Sequence, residues 1–215
     1  MEYIGRENLR RVTAAGRGFI LAPNHVCAID PVFVVVSSWY FLAHKMRIFA
    51  KKELYQINAL LTWFFVQMGA VSVKNGRDDL DTLDRTVAEV KAGRGLLLFP
   101  EGTRTKTGAL LPPKSGAFVV AAQAGVDMLP CRILYDTDSG RARLFCRVRV
   151  CFGEVISAEA LSMEGGRDIR RLKENKKLLS ARWEALGQAN CFPGRVLPAA
   201  PEKKPAASAA APKEE

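Results

Sequence analysis

Apolar residues in this chain fall into short unbroken runs separated by stretches where they recur every three or four residues, the pattern of strands interleaved with helices. Phe19-Ile20-Leu21 is the first compact run; it predicts a strand over 18–21 leading into Pro23-Asn24-His25. Asp30 followed by Pro31 reads as a helix start, since proline suits the first helical position, and this helix is predicted to run to about Ala43. Met46–Ala50 and Ala70–Val73 predict two more strands, with an apolar helix over Leu54–Met68 between them.

Leu80, Leu83, Val87 and Val90 form the clearest helical stripe. Asp78, Asp79 and Asp81 favour its positive N-terminus, and Lys91 with Gly93 suit its end. Gly95–Phe99 reads as a strand buried on both faces, and Ser115–Ala124 as a helix of small residues. Met128–Leu134 and Leu144–Phe152 predict the last strands, with Leu144, Cys146, Val148 and Val150 alternating along the second. Ile169, Leu172, Leu179, Trp183 and Leu186 predict the buried face of a final helix, with Arg170, Arg171, Lys173 and Lys177 on its other faces. The order implies an α/β fold: one domain over 1–198 with a mostly parallel central sheet flanked by helices. An Ala/Pro/Lys/Glu tail over 199–215 is expected to be disordered.

Composition adds little until charge is counted. At 48% apolar content, 215 residues can bury a continuous core. Lysine and arginine number 32 against 22 acidic residues, a formal charge of +10. In the tail Lys203, Lys204 and Lys213 are balanced by Glu202, Glu214 and Glu215, so the excess lies on the folded part. A basic domain seeks nucleic acid, anionic lipid headgroups or phosphorylated ligands. The basic stretches lack interleaved aromatics and any recognisable nucleic-acid motif, so no nucleic-acid partner is expected. No apolar run reaches the ~20 residues a spanning helix needs, so no transmembrane span is expected. Five cysteines, Cys27, Cys131, Cys146, Cys151 and Cys191, form no CxxC pair and suggest reduced thiols in a cytosolic setting. With only two histidines and no clustered ligands, no metal site is expected.

Two stretches carry candidate chemistry. In Asn24-His25-Val26-Cys27-Ala28-Ile29-Asp30, an imidazole precedes a carboxylate by five residues. On a continuous helix these side chains would stand about 140° apart. Pairing them therefore requires His25 in the loop and Asp30 at the helix start, which the Asp30-Pro31 signature suggests. So arranged, His25 could act as a general base on a hydroxyl, with Asp30 fixing its tautomer; otherwise His25 is a structural histidine and Asp30 only a helix cap. The second stretch, Phe99-Pro100-Glu101-Gly102-Thr103-Arg104, follows a buried strand, where ligand sites of parallel sheets lie. Arg104 can grip a phosphate bidentately, and the Gly102 and Thr103 amides could add donors. Glu101, an acid in a basic setting, is expected to organise a cation or bind a hydroxyl. Cys27 reads as a small thiol rather than a nucleophile, and His44 as a solvated residue at a helix end.

Together the two motifs resemble the family of glycerolipid acyltransferases that includes 1-acylglycerol-3-phosphate acyltransferases. The likeness runs from Ile4-Gly5-Arg6-Glu7-Asn8-Leu9 through both motifs, Phe49-Ala50-Lys51-Lys52-Glu53-Leu54 and Gly69-Ala70-Val71, then Lys114-Ser115-Gly116-Ala117 and Ala124-Gly125-Val126, to Pro130. It implies transfer of a fatty acyl group from acyl-CoA or acyl carrier protein to the free hydroxyl of 1-acylglycerol 3-phosphate, giving phosphatidic acid, with glycerol 3-phosphate or a different lysolipid as alternative acceptors. A silent protein that binds anionic lipid on the same fold is the non-catalytic alternative. The resemblance implies His25 and Asp30 as the catalytic pair, and Lys74, Arg77, Glu101, Gly102, Thr103 and Arg104 around the acceptor's phosphate. Asn24, Lys51 and Lys114 are implied as secondary contributors. No bound cofactor is implied, only the acyl thioester as co-substrate, and the partner surface is the cytoplasmic face of a membrane, met peripherally. The chain departs from the family pattern in having Cys27 where serine is common, Lys74 in place of arginine, and Asp127 where an apolar residue or proline is frequent.

Overall fold

A computed structural model describes residues 1–42, 46–51, 70–73, 79–163 and 168–199. The apolar runs become seven strands of one sheet: β1 (Glu2–Ile4), β2 (Phe19–Pro23), β3 (Met46–Lys51), β4 (Ala70–Val73), β5 (Gly95–Leu97), β6 (Asp127–Tyr135) and β7 (Val148–Phe152). Their order is β1-β7-β6-β2-β5-β3-β4. All neighbours are parallel except β6 and β7, which pair antiparallel. The strands β6-β2-β5-β3-β4 thus point one way and end on one edge of the sheet. In register, Phe19 faces both Gly95 and Asp127, which centres β2 between β5 and β6.

The described helices are α1 (Arg6–Ala14), α2 (Asp30–Leu42), α3 (Asp79–Lys91), α4 (Gly116–Ala124), α5 (Ala158–Leu161) and α6 (Ile169–Asn190). They cover both faces, so β2 is buried throughout. Phe19 and Leu21 pack with Leu9, Val12, Val34 and Val35 of α1 and α2. Ile20 and Ala22 face the opposite way, toward Val87, Val90, Phe118, Leu179 and Trp183 of α3, α4 and α6. This alternation follows from the two-residue period of a strand. Trp183 is fully buried, and its indole N–H donates to the Ala22 carbonyl at 2.9 Å, satisfying the one polar group it carries inside. Asp168 begins α6 by accepting the Arg170 and Arg171 amides, which the helix itself leaves unpaired.

Several expectations change. Sequence pattern did not predict β1, α1 or α5. Gly5 links β1 to α1 at φ +73°, and a Cβ there would lie 2.1 Å from the Phe152 carbonyl oxygen, so only glycine allows this approach. The strand predicted over 144–152 is confined to Val148–Phe152. Its partner β6 ends at Tyr135, and the chain turns at Thr137, whose amide donates back to the Tyr135 carbonyl. Leu144 and Phe145, with no strand to pair with, are exposed. Ile169, placed by periodicity on the buried face of α6, is also exposed, being the first residue of the helix. His44, the predicted helix over 54–68 and the tail from 200 onward lie outside the described residues. Among the described residues, no helix is long and apolar enough to cross a membrane.

Candidate active site

The site begins where β2 ends. Asn24, the first residue past the strand, is buried, and its side-chain amide both donates to the Ile133 carbonyl (3.3 Å) and accepts the Ile133 amide (2.7 Å). Asn24 therefore continues the β2–β6 ladder through its side chain, and both ends of its amide are occupied there. His25 is the next residue, free of the strand but leaving from a fixed point.

Asp30 opens α2 with its carboxylate turned back over the loop. Its Oδ2 accepts the Val26 amide (2.6 Å), the Cys27 amide (2.8 Å) and His25 Nδ1 (2.9 Å). Its Oδ1 accepts the Tyr135 hydroxyl. Asp30 has no solvent exposure, so these donors replace the water its charge would otherwise need. An acceptor on Nδ1 places the proton there and leaves Nε2 with its lone pair free. The His25 ring is stacked on Phe99 with centroids 4.2 Å apart and planes 29° from parallel, which restricts its rotation. The imidazole retains 18% of its exposure, enough to be reached from solvent.

The second stretch is fastened to the first. The Glu101 carboxylate accepts the His25 amide through Oε1 (3.1 Å) and the Leu111 amide through Oε2 (3.3 Å). The Thr105 amide donates to the His25 carbonyl at 2.9 Å. The backbone of His25 is thus clasped on both sides by the loop 101–105. Glu101 is 2% exposed, and burial raises its carboxyl to about 7, against the pull of the two amides and of Arg132. Arg132 on β6 is itself buried, its guanidinium pushed down to about 10 by desolvation.

The groups expected around a phosphate divide into three sets. Gly102, Thr103 and Arg104 stand exposed on the loop, one to three residues before Thr105, which touches His25. Gly102 takes φ +66°, where other residues are strained, and a Cβ there would lie 2.9 Å from Lys114 Nζ. The exposed Lys114 side chain therefore lies over Gly102, adding a second cation to the Arg104 loop. Glu101 and the Gly102 amide are occupied differently from the expectation. Both oxygens of Glu101 hold backbone amides, because a buried carboxylate must find donors, and the Gly102 amide donates to the Phe99 carbonyl at 3.0 Å to close the turn. Lys51 is the last residue of β3, whereas Lys74 and Arg77 lie outside the described residues. Tyr135 and Arg132 belong to the site's surroundings but gave no sequence signal, and Phe99, the first residue of the second stretch, gave none of its stacking on His25. Cys27 is half-buried with its amide on Asp30. Among the described residues, no three His, Cys, Asp or Glu side chains are grouped to hold a metal ion.

A reachable imidazole oriented by a buried carboxylate can take a proton from a bound hydroxyl, and the adjoining cations suit an anionic part of the same molecule. The comparisons with known proteins point the same way. The chloroplastic 1-acyl-sn-glycerol-3-phosphate acyltransferase of Brassica napus is 30% identical over 130 residues, covering 60% of this chain and 36% of that protein. The 1-acyl-sn-glycerol-3-phosphate acyltransferase of Borreliella burgdorferi is 31% identical over 141 residues, covering 63% of this chain and 51% of that protein. The chain therefore spans about a third to a half of the length of these relatives. The crystal structure of the 1-acyl-sn-glycerophosphate (LPA) acyltransferase PlsC from Thermotoga maritima superposes with a TM-score of 0.64 at 22% identity, covering 89% of this chain and 73% of that one; the likeness is one of fold. The family model described as Acyltransferase matches residues 1–134, which hold both motifs, β2, β5 and all of β6 but its last residue. By that match the chain belongs to the acyltransferase family, the glycerolipid family its two motifs resemble.

Proposed function

We propose that this chain transfers a fatty acyl group from an acyl thioester, acyl-CoA or acyl carrier protein, to the free hydroxyl of 1-acylglycerol 3-phosphate, giving phosphatidic acid. The observation that carries the reading is the His25–Asp30 pair, its imidazole partly exposed, seated against the loop that bears Arg104. The names of the relatives support the choice of acceptor.

In this reading the acceptor's phosphate meets Arg104, helped by Lys114 and by Lys51, Lys74 and Arg77, and its hydroxyl is presented to His25 Nε2. As the hydroxyl oxygen attacks the thioester carbonyl, its proton passes to Nε2. Asp30 stabilises the imidazolium through the Nδ1 proton, and it can do so without rearrangement because its other donors already fix it. The tetrahedral intermediate then expels the thiolate, which takes the proton back from Nε2. The ester is formed, the thiol is released and His25 is restored, with no acyl-enzyme. Residues 1–198 act as one acyltransferase domain that meets its lipid acceptor peripherally at a membrane surface.

The test is transfer of a labelled long-chain acyl group from each donor to 1-acylglycerol 3-phosphate, comparing the unaltered chain with His25→Ala. Transfer abolished by the substitution, with thermal unfolding unchanged, is the expected result. Equal transfer by both proteins would remove His25 from the chemistry; no transfer by either would remove the acceptor.

A further inference from the structure

The loop joining β6 to β7 leaves the sheet at the same edge as His25 and carries the most exposed large apolar side chains described. Leu144 is 85% exposed and Phe145 96%. Phe145 also takes φ +61°, the one non-glycine residue with positive φ among those described. The Cys146 amide donates to the Arg143 carbonyl at 3.3 Å, so Leu144 and Phe145 are the central pair of a turn whose positive φ an aromatic residue adopts only with strain. The base of the loop is held firmly. Ala142 and Cys146 pack against the cluster that contains Tyr135, whose hydroxyl holds Asp30. Asp136 is paired with Arg147 (2.7 Å) and with Arg195 (2.8 Å), and Asp138 is paired with Arg195. With the acids of the loop so engaged, Arg141 and Arg143, on the N-terminal side of the apolar tip, are exposed and have no ion-pair partner among the described residues.

We propose that Leu144 and Phe145 insert into the interface of an anionic lipid bilayer, with Arg141 and Arg143 against the headgroups, so that the His25–Asp30 pair is presented to the membrane. The occupant is chosen by chemistry: an exposed aliphatic–aromatic pair directly preceded by two unpaired guanidiniums matches an acyl boundary beneath an anionic surface. The choice of a membrane over another acidic surface rests on the lipid acceptor proposed above. The anchoring of the loop to Tyr135 ties the depth of insertion to the position of the site.

The experiment measures partitioning of the full chain onto vesicles of phosphatidylcholine alone and of phosphatidylcholine with 30% phosphatidylglycerol (about one lipid in three, enough for a surface potential of tens of millivolts). Tenfold or greater loss of partitioning is expected for Leu144→Ser with Phe145→Asn, asparagine being tolerant of positive φ. Arg141→Gln with Arg143→Gln should weaken binding to the anionic vesicles several-fold and leave binding to neutral ones unchanged. All these positions are exposed, so unfolding temperatures should not move. In parallel, Phe145→Trp should be quenched by lipids brominated high on the acyl chain beyond the quenching of the chain's native tryptophans. Unaltered partitioning by the Ser/Asn variant, or no added quenching, overturns the proposal. Loss of transfer from acyl carrier protein but not from acyl-CoA, with partitioning unchanged, also overturns it and assigns the tip to a protein. Acyl transfer and docking fail separately: partitioning that depends on the tip, in a chain that acylates nothing, keeps the docking surface and removes the reaction.

Discussion

Removing the hydroxyl of Tyr135 tests the dyad at the one point where it is held from a distant strand. Asp30 Oδ1 accepts from Tyr135, whereas Oδ2 serves His25, Val26 and Cys27. Asp30 has no exposure and Tyr135 only 5%, so in Tyr135→Phe no water reaches the vacated oxygen. A hydrogen bond to a charged group contributes about 1.5–3 kcal/mol, and that is the expected loss of stability. The phenol's own proton is secure, since burial and the neighbouring carboxylate hold its pKa far above the usual value. Activity should suffer less than stability. Three donors still fix Oδ2, so the imidazole keeps its tautomer and kcat should fall by no more than about tenfold, equivalent to 1.4 kcal/mol. Asp30→Asn, which offers His25 the wrong partner, should lower kcat by about four orders of magnitude, as in hydrolase triads. Urea unfolding of Tyr135→Phe, of Asp30→Ala, which unlike asparagine leaves no acceptor for the phenol, and of the double variant gives the coupling between the two side chains, expected at about 1.5–3 kcal/mol. Coupling below about 0.5 kcal/mol, within the scatter of independent sites, would refute the described hydrogen bond. Activity lost as completely in Tyr135→Phe as in Asp30→Asn would instead put the hydroxyl in the reaction.

Glu101 predicts a pH effect of definite sign. Its carboxyl stands at about 7 in the folded chain against an ordinary 4.5, so the folded state binds its proton more tightly than the unfolded one. This favours folding below pH 4.5 and is lost as pH rises toward 7, a swing of about 3 kcal/mol. Denaturant unfolding from pH 5 to 8 should show the stability of the unaltered chain falling relative to Glu101→Gln; a gap that widens in its favour would contradict the burial argument. Arg104→Ala should raise the acceptor KM or lower kcat/KM by roughly ten- to a hundredfold, the equivalent of a charge-assisted contact of about 1.5–3 kcal/mol. Steady-state kinetics with the acyl donor saturating reads this, and an unchanged acceptor KM and kcat would move the phosphate elsewhere. Gly102→Ala should destabilise by about 1 kcal/mol through its left-handed φ alone, since the Lys114 side chain over it can swing aside. A thermal melt that does not shift would show the turn to be adaptable.

What could be read from the chain was local. The stripe Leu80-Leu83-Val87-Val90 and the Asp30-Pro31 start declared α3 and α2 because helical period and capping act within a few residues. The same locality made the His25–Asp30 contact deducible, because loop followed by helix start is the arrangement that brings the two together. The partners of that pair lie far along the chain. Tyr135 reaches Asp30 across 105 residues and Glu101 reaches His25 across 76, and no spacing rule extends that far. Nor does alternation reveal where a strand loses its neighbour: Leu144 to Val150 keeps a two-residue period throughout, yet pairing with β6 begins only at Val148. Strand β1 was missed for a related reason. Its three residues have no pattern of their own and are a strand only because β7 lies beside them.

The clasp of His25 between Glu101 and Thr105 bears on how such a site can be inherited or transplanted. Each motif supplies backbone geometry to the other: the carboxylate of one holds the amide of the next, and a carbonyl returns the contact. Neither loop would keep its shape if grafted singly onto a foreign sheet, since each would carry a buried polar group stripped of its partner. Diversification of acceptor choice is thereby channelled toward the exposed members, Thr103, Arg104 and Lys114, whose side chains make none of the clasp's contacts. The chain's two most informative segments behave as one module split across its length.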